Sequence, residues 1–195
     1  PSGIVDRLKQ DQGIFRVQRL FQRVKNYEKL PLIPHVNKLH GLDTTGAYSP
    51  LVTGNYYESF RGLGDVNDSH RMLTADAGGL KTKIAFLNFM NVKYLLSDEE
   101  LEGSQWIKVM EEDGSFLYQN PNFLPRAFFV ESLDELAKEK PDWKTAGLAR
   151  YGQEEMELEV SSGSPGFVVA SELHYPGWKV TIDGRKAELL KAREQ

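Results

Sequence analysis

Asp65-Val66-Asn67-Asp68-Ser69-His70 packs carboxylate, amide and imidazole groups into six residues, the donor types that hold a calcium ion. The spacing does not suit that chemistry. An EF-hand loop needs glycine at its sixth position and glutamate at its twelfth, where this stretch has His70 and Asp76. A solvated loop is the expectation. His35, His40, His70 and His174 are scattered, without the paired histidines at i, i+4 and intervening glutamate that zinc hydrolases use. His35 and His40 share a stretch with Asp43, so a His/Asp acid–base pair could assemble there. No serine in a glycine-flanked nucleophile elbow accompanies it, and loop-packing histidines are expected. No metal ligands and no catalytic residues are assigned.

Glu154, Glu155, Glu157 and Glu159 present a carboxylate cluster, but glycoside hydrolysis needs two carboxylates facing one another across the bond. Side chains on one strand do not face each other, so the cluster reads as a charged outer face protecting a sheet. Gly62-Leu63-Gly64 and Gly78-Gly79 lack the third glycine or the Lys-Ser/Thr ending of phosphate loops, and no cofactor is expected. Aromatic residues are the better binding candidates, because Tyr48, Tyr56, Tyr57, Phe60, Tyr175 and Trp178 could stack on sugar faces or lipid carriers. Trp178 alternates with Val180 and Ile182, which predicts that it enters the core. Glycan contacts are therefore placed on Tyr48, Tyr56, Tyr57 and Arg61.

The elements that must position these groups follow from periodicity. A strand is predicted over Ile14 to Leu20, followed by a long loop to Pro50 punctuated by Pro31, Pro34, Gly41 and Gly46. Leu51 to Leu63 has near-helical spacing, weakened by Gly54. Ile84 to Met90 reads as a helix feeding a short buried strand, Val92 to Leu96, an α/β signature. Trp106 to Met110 and Phe116 to Gln119 bracket Asp113-Gly114, a hairpin turn signal. Arg126 to Val130 is a further strand, and Ser132-Leu133-Asp134-Glu135 offers a capping box for a short helix ending before Pro141.

After Trp143 the texture is β. Glu155, Glu157 and Glu159 alternate with Met156, Leu158 and Val160, the pattern of a half-buried strand. Phe167 to Ser171, Trp178 to Ile182 and Ala187 to Leu190 follow, with turns at Pro176-Gly177 and Asp183-Gly184. The expected fold class is α+β: an N-terminal mixed α/β domain over residues 1–145, then an incomplete antiparallel β-sandwich over 146–195.

Composition narrows the partners. Apolar content of 40% and charged content of 27% are those of a globular protein, and 195 residues suffice for one robust core or two small ones. A formal charge of -4 offers no general attraction for nucleic-acid phosphates or anionic lipid, so no nucleic-acid partner is expected. The absence of cysteine excludes disulfides and thiolate chemistry. No run of eighteen apolar residues occurs to suggest a membrane span. A start at Pro1 and an end inside a charged stretch at Gln195 lead us to expect an excised domain.

Four stretches, taken in order, carry a resemblance. They are Gly46-Ala47-Tyr48-Ser49-Pro50-Leu51, the run from Leu87 through Asn91 to Leu96, Asn120 with Leu124-Pro125-Arg126-Ala127, and Tyr175-Pro176-Gly177-Trp178 with Asp183-Gly184. Their order and spacing resemble the extracytoplasmic C-terminal region of the YfhO-like family of bacterial multi-pass membrane proteins, which are related to GT-C glycosyltransferases. The resemblance implies a region on the outer face of the bacterial cytoplasmic membrane. Its partners would be the protein's own transmembrane part and a cell-envelope glycan acceptor. It also implies that the parent is a membrane glycosyltransferase whose catalytic acidic residues lie in an early loop between membrane helices. No position here matches those residues. The chain departs from the family pattern in stopping soon after Leu190, before the last sandwich strands.

Overall fold

The computed structural model describes residues 2–20, 31–32, 36–46, 66–67, 72–73, 77–102, 105–138, 140–152, 154–174 and 176–192, with backbone only at 66–67, 72–73 and 77–79. The chain divides into two units, Pro1–Arg126 and Ala127–Gln195. The class is α+β.

The first unit is built on a five-stranded sheet. Its strands are β1 (Arg16–Leu20), β2 (Asp43–Thr44), β5 (Val92–Ser97), β6 (Ile107–Glu112) and β7 (Ser115–Gln119), in the order β2-β1-β5-β7-β6. β1 pairs in parallel with both β2 and β5, whereas β5–β7 and β7–β6 are antiparallel. β3 (Val66–Asn67) and β4 (Met72–Leu73) form a separate small hairpin. The helices are α1 (Gly3–Lys9), α2 (Val36–Leu39), α3 (Ala77–Thr82) and α4 (Ile84–Phe89).

Both faces of the large sheet are covered. On one face Ile4, Val5 and Leu8 of α1 pack with Phe15, Val17, Tyr94, Leu96 and Leu117. On the other, Leu80 of α3 and Phe86 and Leu87 of α4 pack with Leu20, Leu95, Trp106 and Tyr118. Burying side chains on both faces is what makes β1 and β5 nearly continuous buried runs rather than alternating ones.

Helix α1 was not legible in the pattern. Its N-terminus is capped from a distance: Glu112 at the end of β6 accepts from Ser2 Oγ at 2.8 Å and from the backbone N–H of Gly3 at 2.8 Å and of Ile4 at 3.2 Å. These bonds satisfy groups that a helix start leaves without partners. The predicted loop from β1 to Pro50 holds α2 and β2 within its described residues. The predicted helix over Leu51 to Leu63 lies outside the described residues.

The two Asp-Gly turns behave as their chemistry requires. Asp113 and Gly114 have φ of 49° and 72°, and Asp183 and Gly184 have 50° and 75°. Both central residues of each tight hairpin are thus in the left-handed region, as in a type I′ turn.

The second unit contains a three-stranded antiparallel sheet in the order β12 (Phe167–Ala170), β8 (Ala127–Val130), β9 (Lys144–Thr145). Two hairpins accompany it, β10 (Gly147–Tyr151) with β11 (Met156–Glu159), and β13 (Val180–Ile182) with β14 (Arg185–Ala187). Contacts divide the chain after Arg126, upstream of the boundary near 145 read from sequence texture, because β8 pairs along its whole length with β12. Its buried apolar set is small, chiefly Phe128, Phe129, Val130, Leu136 and Val169. Gly166, just before β12, lies where an added Cβ would collide with both the Phe129 ring and the Val130 carbonyl oxygen.

Three local expectations are corrected in this unit. The helix after Ser132 is a 3-10 turn over Leu133–Ala137. Only half of its capping box forms: the Ser132 hydroxyl accepts from the Asp134 N–H, while Glu135 is drawn to Lys138 and the Asp142 N–H instead. The strand after Asp183-Gly184 is Arg185–Ala187 rather than Ala187 to Leu190, since a two-residue turn starts the return strand at once. Trp178 does not enter the core. It is 37% exposed.

Candidate functional site

Three parallel strands mark the usual place for a ligand in a sheet of this type: outside their carboxyl ends, where successive connections leave to opposite faces. The β1-to-β2 connection contributes Leu32 and Leu42 to the α1 face. The β2-to-β5 connection contributes Leu80, Phe86 and Leu87 to the other. The switch therefore falls between β1 and β5. At that edge the Thr45 N–H extends the β2 pairing by donating to the Val17 carbonyl at 3.1 Å, and the Thr45 hydroxyl is bonded to the Gln18 side chain. The end of β5 is closed by Ser97, whose hydroxyl donates to the Glu99 carbonyl at 2.6 Å and accepts from the Glu99 N–H at 3.2 Å.

The glycan-contact candidates Tyr48, Tyr56, Tyr57 and Arg61 lie outside the described residues, as do Tyr175, His35 and His70. The last described residues before Tyr48, Thr45 and Gly46, lie at this edge just past the end of β2. His40 does not form the acid–base pair considered above: the Asp43 carboxylate takes Lys38 at 2.7 Å and Arg126 at 3.1 Å. Burial alone would push the Asp43 carboxyl up, but the Lys38 hydrogen bond and charge, with the charges of Arg126 and Arg16, hold it below the ordinary carboxylate range. The glutamates of β11 keep their alternation, Glu157 and Glu159 exposed against half-buried Met156 and Leu158, and Glu155 pairs with Arg150 at 3.0 Å. Among the described residues no three His, Asp or Glu side chains gather to hold a metal ion.

The second and third resemblance-bearing stretches meet in one buried network. The Asn120 amide donates to Asn88 Oδ1 at 2.7 Å and to the Val92 carbonyl at 2.9 Å, and its Oδ1 accepts from the Asn122 N–H at 3.0 Å. Asn91 ends α4 in the left-handed region, φ 58°, a conformation asparagine tolerates at helix ends. Its amide donates to the Leu124 carbonyl at 2.9 Å, while the Leu124 N–H donates to the Asn88 carbonyl at 3.0 Å. Asn88, Asn91 and Asn120 are all buried. They lash the α4–β5 junction to the chain that leads to Arg126.

Sequence reading missed a second cluster, for it joins residues from α1's exit and β5. Asp11 accepts from Lys93 at 2.5 Å, the Tyr94 hydroxyl at 2.7 Å and the Gly13 N–H at 2.9 Å. The Lys93 ammonium also lies 5.3 to 5.7 Å from the ring centres of Phe123, Phe15 and Tyr94, within cation–π range. Burial, then the hydrogen bond to Asp11 and its charge, push the Tyr94 phenol up to about 12. Burial would raise the Asp11 carboxyl, yet its bonds to Lys93, Gly13 and Tyr94 lower it overall.

The signs follow. Tyr94 binds its proton more tightly when folded, so its contribution is present below pH 10 and is lost as pH rises toward about 12. Asp11 contributes above the ordinary carboxylate range and is lost as pH falls through its lowered value. Tyr94→Phe is expected to cost about 1 kcal/mol at neutral pH and to flatten the alkaline limb, as read from urea midpoints between pH 8 and 12. An unchanged limb would refute this assignment.

Comparison with protein-family models, curated proteins and solved structures gives no match. No helix among the described residues is long and apolar enough to cross a membrane.

Proposed function

We propose that this chain is an extracytoplasmic domain of a YfhO-like polytopic membrane protein, and that it helps to hold a glycan or cell-wall acceptor for sugar transfer by the membrane-embedded part. The reading places the domain on the outer face of the bacterial cytoplasmic membrane and assigns it no catalytic residue. One observation carries it: stretches separated in sequence that bear the resemblance, Leu87 to Leu96 and Asn120 to Arg126, are joined by the asparagine network. A third begins at Gly46, just past Thr44, which ends β2 at the carboxyl edge of the parallel strands, the side of such a sheet where ligands bind. Aromatic stacking on a sugar face suits the Tyr48 to Arg61 stretch.

Titration of the chain with cell-wall glycan fragments is the test. Saturable binding, weakened about tenfold in Tyr56→Ala with Tyr57→Ala as expected for a lost stacking platform, supports acceptor positioning. A second reading, a structural or protein-interaction domain, draws on the fact that Asn88, Asn91 and Asn120 serve packing. Absence of glycan binding, with a full-length protein that loses stability but not acceptor choice when the domain is deleted, would replace the first reading by the second.

A further inference from the structure

We infer that the β13–β14 hairpin and the residues after it form a contact for an anionic phospholipid bilayer. From Trp178 to Lys191 the chain carries four basic residues, Lys179, Arg185, Lys186 and Lys191, against Asp183 and Glu188. That local excess of positive charge stands in a chain whose formal charge is -4. All four basic residues are exposed, and none of them takes part in the ion pairs among the described residues.

The same segment presents apolar side chains to solvent. Ile182 is 61% exposed, Leu190 46%, Leu189 43% and Trp178 37%. Pairing fixes how charge and apolar surface are interleaved: Ile182 stands opposite Arg185, and Thr181 opposite Lys186. Strand alternation puts Ile182 and Arg185 on one face and Lys186 on the other, so cations stand on both faces of the hairpin beside Ile182, next to its Asp183-Gly184 turn. An open concavity bounded by Ile182, Asp183, Arg185, Lys186 and Ala187 runs along the hairpin.

This combination matches the chemistry of a lipid surface. Trp and aliphatic side chains gain by entering the headgroup boundary, while Lys and Arg meet lipid phosphates with their stems along apolar surface. Self-association would set two positively charged hairpins against one another, which disfavours a second copy as the occupant. The inference does not depend on whether the chain contacts a glycan.

Co-sedimentation of the 195-residue chain with vesicles of phosphatidylglycerol and phosphatidylcholine, against phosphatidylcholine alone, tests it. Binding is expected to the anionic vesicles only, with a blue shift in tryptophan emission that Trp178→Phe removes. Arg185→Glu with Lys186→Glu is expected to weaken binding by roughly tenfold or more, and Ile182→Asp to weaken it as well. All these positions are exposed, and an unchanged far-UV spectrum verifies folding. Failure of the wild type to bind overturns the inference, as does full binding by both variants. So does equal affinity for soluble heparin with no effect of Ile182→Asp, which marks a general polyanion contact. A concentration-dependent dimer abolished by Ile182→Asp, without vesicle binding, overturns it in favour of self-association.

Discussion

Asn120→Ala is expected to lower the unfolding free energy by about 3 kcal/mol, the sum of several buried hydrogen-bonding losses rather than of one contact. Asn120 is 1% exposed, so water does not replace its amide cheaply. Its removal takes the donor from Asn88 Oδ1 and from the Val92 carbonyl, and the acceptor from the Asn122 N–H. Each polar group stranded in a buried position costs about 1–3 kcal/mol, although relaxation recovers part of it. Asn122→Ala is the matched control, because its contribution to the network is a backbone N–H. Urea unfolding should place the control within about 0.5 kcal/mol of wild type. A loss below about 1 kcal/mol for Asn120→Ala would mean that the network is ornamental.

Phe128→Ala is expected to be costlier still, about 4 kcal/mol. Phe128 is completely buried, sits on the middle strand of the β12-β8-β9 sheet, and packs edge-to-face against Trp143 with ring centres 6.4 Å apart. The second unit has few other large buried side chains among its described residues. Small units bury a smaller fraction of their surface and are correspondingly marginal, so a loss of this size should unfold it locally. Amide hydrogen exchange should show protection vanishing from β8 and β12 while β1, β5 and β7 retain theirs. Equal loss of protection along the whole chain would show instead that the two units unfold as one.

Much of the fold was written locally. The β6–β7 and β13–β14 hairpins are announced by Asp-Gly pairs whose backbone angles only a few residue types accept. The α4–β5 passage is announced by an apolar run, with Asn91 supplying the helix stop. Helix α1 was hidden because it has only three buried apolar residues, Ile4, Val5 and Leu8, and because its cap comes from Glu112. No window of neighbouring residues contains both.

Trp178 misled for a different reason. Alternation with Val180 and Ile182 marks a strand with two unlike faces, but it does not say that another layer covers the apolar one. Here Ile182 and Trp178 are exposed. The candidate site was partly legible in the same sense. Asp43 stood out as a possible acid–base partner, whereas Arg126, from a distant part of the chain, neutralises it. Lys93 and Tyr94 looked only like strand residues until Asp11 was placed beside them.

The capping of α1 by Glu112 also orders events during synthesis. The helix emerges from the ribosome well before the apolar partners it needs, Tyr94, Leu96 and Leu117, and the carboxylate that closes its first turn is made 109 residues after Gly3. Until then Ile4, Val5 and Leu8 have no sheet to cover, and a helix this short has little stability of its own. A segment translated before the sheet it covers is therefore among the last parts of this unit to be fixed in place.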